Sequence, residues 1–100
     1  GINTPVSAIE PLEIETGRLS LFPNPAQDQV NLEFDPNWTS NEAVHYLLFN
    51  AIGSCVRKAE VPKGIHVQQV DLDGLPNGFY FFQLTQAGKT LGTAKLVVFR

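Results

Sequence analysis

Apolar and polar side chains alternate with a period of two along much of this chain, and no segment carries a helical period of 3.6. Alternation of that kind puts successive side chains on opposite faces of an extended backbone, so the chain is restricted to strands with one wet face. Residues 29–34 are the cleanest case, with Val30, Leu32 and Phe34 expected inward and Gln29, Asn31 and Glu33 outward. Residues 43–50 divide Val44, Tyr46 and Leu48 from His45, Leu47 and Phe49. The turn Asn50-Ala51-Ile52-Gly53 then leads into residues 54–61, where Cys55, Arg57 and Ala59 alternate with Val56, Lys58 and Glu60, which reads as a hairpin. After Pro62-Lys63-Gly64, Ile65 and Val67 share one phase while Val70 and Leu72 share the other, which predicts a bulge near Gln68-Gln69.

The most aromatic strand follows a turn that its own residues specify. In Leu75-Pro76-Asn77-Gly78, Pro76 fixes its φ and biases Leu75 towards an extended conformation, and Asn77-Gly78 is the pair best suited to positive φ. Behind the turn, Tyr80, Phe82 and Leu84 face one way and Phe79, Phe81 and Gln83 the other, as expected of a central strand buried on at least one side. A Tyr placed just after such a turn is similar to the tyrosine corner of immunoglobulin-like sandwiches, whose phenol bonds back to the upstream backbone. The chain's other turns complete the count. A short strand over residues 19–22 is stopped by Pro23-Asn24-Pro25, and Ala87-Gly88-Lys89 closes a hairpin into residues 90–100, where Gly92 marks a twist or bulge. About seven strands joined by short turns predict an all-β, immunoglobulin-like antiparallel β-sandwich.

One hundred residues suffice for one domain with its own core. Residues 1–18 mix Pro5, Pro11 and Gly17 with Glu10, Glu13 and Glu15, which reads as a linker with at most a short strand near Leu12 to Ile14; the domain is expected over 19–100. The lack of an initial Met suggests a fragment of a longer protein. Basic residues are few and scattered within a net charge of -3, so nucleic acid is not an expected partner. No apolar run approaches the roughly 20 residues needed to span a bilayer, and the N-terminus does not resemble a signal peptide.

Catalytic patterns are not found. Cys55 stands alone, which rules out an internal disulfide, and in an alternating strand it reads as a small hydrophobe. His45 and His66 lack metal-ligand spacing, and Asp71 and Asp73 read as a solvated strand end, so neither enzyme activity nor a metal or cofactor is expected. Trp38 sits in the longest polar loop, residues 35–42. It is expected to fold back as a lid on the core, the alternative being a ring presented to a sugar or a partner protein. Asn37-Trp38-Thr39 also matches the short glycosylation acceptor pattern.

Four stretches together resemble one family. Leu19-Ser20-Leu21-Phe22-Pro23-Asn24-Pro25 is similar to the opening Pro-Asn-Pro motif of the C-terminal sorting domain (type A) of the Bacteroidetes type IX, or Por, secretion system. Asn50-Ala51-Ile52-Gly53 resembles its Asn-x-x-Gly turn, Leu75-Pro76-Asn77-Gly78-Phe79-Tyr80 its Leu-x-x-Gly-x-Tyr motif, and Lys95-Leu96-Val97-Val98 its closing Lys-aliphatic strand. The resemblance implies a non-catalytic address label on a cargo protein that crosses the periplasm, is recognised by the outer-membrane translocon, and reaches the cell surface or medium. It also implies, for many members, removal by a sortase-like surface protease that joins the cargo to lipopolysaccharide, with residues 1–18 holding or adjoining the cleavage region.

Lys95 and Arg100 bracket Leu96, Val97, Val98 and Phe99 at the end of the sequence. That ending is expected to offer an accessible strand edge and a free carboxylate for capture by another protein, and an exposed edge would also permit self-association. The alternative function is an immunoglobulin-like binding module recognising carbohydrate or a surface protein through the Trp38 loop. A plain structural spacer is a third.

Overall fold

The structure, a computed structural model, describes residues 19–100; the expected linker and cleavage-adjacent segment lie outside the described residues. Seven strands follow in order: β1 (Ser20–Phe22), β2 (Gln29–Glu33), β3 (Val44–Asn50), β4 (Cys55–Val61), β5 (Val67–Asp71), β6 (Gly78–Gln86) and β7 (Lys89–Val98), with a 3-10 turn at Pro36–Thr39. They form two sheets, β1-β2-β5 and β4-β3-β6-β7, in which every pairing is antiparallel. The sandwich expected from the alternation is therefore the observed fold, with β4 beside β3 rather than beside β5.

Alternation decides what fills the space between the sheets. Val30 and Leu32 of β2 and Val70 of β5 meet Val44, Tyr46 and Leu48 of β3, Tyr80, Phe82 and Leu84 of β6, and Leu96 and Val98 of β7, all of them buried. Phe82 sits at the centre with no exposed surface. Its ring meets that of Tyr46 edge to face, centroids 5.9 Å apart, the arrangement that aromatic quadrupoles favour.

Two local expectations need correction. No bulge occurs near Gln68-Gln69: β5 pairs with β2 in unbroken register from Gln29↔Asp71 to Glu33↔Val67. Neither Ile65 nor Val67 is buried: they are 39% and 43% exposed, Val67 on the outer side of an edge strand, and these two exposed aliphatics imitate a phase change. The bulge lies instead in β4, where Leu48 pairs with Arg57 but Phe49 with Cys55, leaving Val56 as the extra residue. That insertion turns Val56 partly inward and leaves Cys55 exposed on the outer face, so Cys55 is not the packed hydrophobe that alternation predicts. Gly92 does adjoin a bulge, since Leu84 pairs with Gly92 and Thr85 with Thr90, which leaves Leu91 over.

Candidate functional site

Antiparallel pairing brings the four motif stretches to one end of the sandwich. Asn50 pairs with Tyr80, Gly78 with Val98, and Ala26 bridges Val98 in parallel. The β1–β2 connection, the β3–β4 turn, the β5–β6 loop and the end of β7 are thus neighbours.

Pro23, Asn24, Pro25 and Ala26 form a strap along the outer edge of β7. Both Phe22-Pro23 and Asn24-Pro25 are cis. The prolines have no N–H to donate to a neighbouring strand, and the Asn24 side chain makes the pairing in their place. Its Nδ2 donates to the Lys95 carbonyl at 3.0 Å, and its Oδ1 accepts from the Val97 N–H at 3.0 Å. Ala26 continues the ladder, its N–H donating to the Val97 carbonyl at 2.8 Å and its carbonyl accepting from the Phe99 N–H at 2.9 Å. The edge expected to be accessible over residues 95–99 is therefore already paired, because a loop distant in sequence lies along it.

The other motifs are turn chemistry. Asn50 Oδ1 accepts from the N–H groups of Ile52 and Ser54 at 3.2 and 2.9 Å. Gly53, at φ 88°, closes the same turn onto the Asn50 carbonyl, a conformation that favours glycine. Tyr80 donates its hydroxyl proton to the Pro76 carbonyl at 2.6 Å, so the tyrosine corner is present. An open cleft of about 270 Å³ separates the Asn50-Ala51-Ile52 turn from the Leu75–Tyr80 loop, with Phe79 in its wall.

The segment 95–100 is divided by parity. Leu96 and Val98 belong to the core, whereas Lys95, Val97 and Phe99 face outward, Phe99 being 65% exposed. Lys95 Nζ lies 4.4 Å from the centroid of the Phe79 ring, within cation–π range. Arg100 is tied to the turn ahead of β6: its guanidinium donates to the Leu75 carbonyl at 2.6 Å and the Leu72 carbonyl at 3.0 Å and pairs with Asp28 at 3.1 Å, while its N–H donates to Asn77 Oδ1 at 3.1 Å. Sequence reasoning missed the strap and this clamp. Two prolines flanking an amide were the available sign of the first; nothing local signalled the second.

Trp38 lies at the opposite end. Its ring stacks on Phe34, centroids 5.9 Å apart and planes 13° from parallel. A Cβ placed on Gly92 would fall 2.9 Å from its Cη2. The Trp38 carbonyl accepts from Gln86 Nε2 at 2.6 Å. This is the lid expectation, with the ring resting on Phe34 and over Gly92. Thr39 of the glycosylation pattern is buried, its hydroxyl donating to the Ile65 carbonyl at 2.7 Å. Asp71 and Asp73 meet as the solvated strand end expected, the Asp71 carboxylate accepting from the Asp73 N–H at 3.0 Å.

Among the described residues no cluster of His, Cys, Asp or Glu could hold a metal ion, and no helix is long and apolar enough to cross a membrane. No curated protein matches the chain. A family model, described as a secretion system C-terminal sorting domain, matches residues 20–99, which takes in all four motifs and both sheets. The chain therefore belongs to the C-terminal sorting domains of the type IX secretion system.

Proposed function

We propose that residues 19–100 act as a non-catalytic address label whose readable part is the motif end of the sandwich. The domain directs its cargo from the periplasm through the outer-membrane translocon to the cell surface or medium. A sortase-like protease then cleaves near residues 1–18 and attaches the cargo to the surface. One observation carries this reading: the family match covers both sheets, and the residues that make up its motifs, from Asn24 and Asn50 to Tyr80 and Lys95, meet at one end although they are far apart in sequence. Within that end, the exposed groups of the closing segment, Lys95, Phe99 and Arg100, are the ones a partner can touch.

The test is export of a periplasm-targeted reporter in a type IX-competent host, with and without the 19–100 domain at its C-terminus. Only the fusion carrying the domain should reach the surface or medium. Equal behaviour of the two would remove the address-label reading. Deleting residues 95–100 is the poorer test, because it takes Leu96 and Val98 out of the core and would unfold the domain for reasons unrelated to recognition.

A further inference from the structure

We propose that the outer face of the β4-β3-β6-β7 sheet is the surface that the sorting machinery grips, and that it takes a protein surface combining aliphatic groups with carboxylates. The inference rests on the sorting reading and names the partner's chemistry.

The register lays this face out row by row. Phe79 pairs with Val97; Phe81 lies between Phe49 and Lys95; Gln83 and Leu47 follow, with Lys58 beyond Leu47 and Thr93 beyond Gln83. Phe79 is 52% exposed, Phe81 43% and Phe99 65%, and Ile52, 86% exposed, shares the cleft beside Phe79. These four are the majority of the seven large hydrophobic residues that the described chain exposes. Scattered apolar residues need no explanation, but a contiguous aromatic face does.

Charge narrows the occupant. Lys95 stands against Phe81 in register with its ammonium over Phe79, and Lys58 stands against Leu47; among the described residues neither has a carboxylate partner. Among the described residues the first carboxylate on this face is Glu60, one row past Lys58 and opposite His45. On the outer face of the other sheet the charged groups are carboxylates instead: Glu33 and Asp71 lie outward there with Gln29, Asn31 and Gln69, beside the exposed Phe22 and Val67. A partner that covered the aromatic rows would strand two ammonium groups unless it supplied carboxylates to meet them. Two other modes fit less well. Strand addition at residues 95–99 would have to displace the strap, and a second copy apposed through the same face would bring these lysines together.

The experiment uses the full chain on the periplasm-targeted reporter, with Phe81→Thr, Lys95→Arg, Lys95→Glu, Thr93→Glu and Thr93→Lys, each checked for folding by circular dichroism and melting. All three positions are exposed, so the variants are expected to fold; if one does not, the remaining positions decide. We expect Phe81→Thr, Lys95→Glu and Thr93→Glu to lower export about tenfold or more, the scale of losing an interface anchor, and Lys95→Arg and Thr93→Lys to keep it. Folded variants exported like the unmodified chain would overturn the surface while leaving the sorting reading intact. Loss with Phe81→Thr but not with either Glu variant would overturn the acidic partner. Failure of the unmodified fusion would bring down both readings. The purified chain would also be tested for co-sedimentation with phosphatidylglycerol vesicles and for dimerisation by sedimentation velocity. Vesicle binding or dimerisation abolished by Phe81→Thr would overturn the proposal in favour of a lipid surface or a second copy.

Discussion

Asn24 holds strand β7 from outside: its Oδ1 accepts from the Val97 N–H at 3.0 Å while the other end of the same amide donates to the Lys95 carbonyl at 3.0 Å. One side chain thus serves one donor and one acceptor of an otherwise open strand edge. Each such bond contributes about 0.5–1.5 kcal/mol net. Asn24→Ala is therefore expected to lower the unfolding free energy by about 1–2 kcal/mol and to speed hydrogen exchange at the Val97 amide. Asn24→Asp keeps the acceptor for Val97 but sets a second oxygen against the Lys95 carbonyl, so it should fall no closer to the unmodified protein than Asn24→Ala does. Urea unfolding of the three proteins decides it, and unchanged Val97 exchange in Asn24→Ala would show that Ala26 alone holds the strap.

The tyrosine corner makes a smaller and cleaner prediction. Tyr80 is buried and its hydroxyl meets the Pro76 carbonyl at 2.6 Å. Tyr80→Phe preserves the ring and removes only this bond, so the expected loss is about 1 kcal/mol, seen as a fall in melting temperature of roughly 4–8 °C for a domain of this size. A variant melting with the unmodified protein would mean that the bond only orients the turn.

At the other end of the sandwich, Gly92 leaves room for Trp38. A Cβ there would lie 2.9 Å from Trp38 Cη2 and 3.4 Å from Cζ3. Gly92→Ala should therefore destabilise the domain and shift Trp38 fluorescence. In a Trp38→Phe background, where the smaller ring withdraws, the same substitution should cost less; the double-mutant cycle measures that coupling. Reporter export should be unaffected in folded Trp38→Phe. Loss of export in that folded variant would revive the binding-module alternative.

What could be read from the sequence follows from the range of the interactions involved. The inward and outward residues of β2, β3 and β6 were legible because strand parity is local, and the Tyr80 bond was legible because donor and acceptor lie four residues apart. Gly92 was legible as an irregularity, though not as the seat of Trp38. The strap was not legible, since Asn24 and Val97 are separated by 73 residues and the contact depends on how the two sheets are laid together. For the same reason β7 read as an open edge, and the Arg100 clamp onto Leu72 and Leu75 was not visible. The misplaced bulge has a different origin. An edge strand tolerates an outward valine at position 67, and hydrophobicity alone cannot tell that from a change of phase.

Tyr46 gives the domain an alkaline limit. Its phenol is pushed above the usual value of 10.0, mainly because burial disfavours the phenolate, with the nearby Arg57 charge acting the other way. The unfolded chain, free of that burial, ionises Tyr46 near the ordinary value. Below about pH 10 both states hold the proton and the contribution of this group is complete. Above it the unfolded state gives up its proton first, so it binds fewer protons than the folded state and stability falls with rising pH until the folded phenol also ionises. Tyr46→Phe removes this step. Urea midpoints measured from about pH 8 to 11 should decline less steeply for the variant than for the unmodified domain, even if its stability at neutral pH is lower through a changed contact with Phe82. Parallel declines would place the alkaline loss in other groups, and a steeper decline for the variant would reverse the sign argued here.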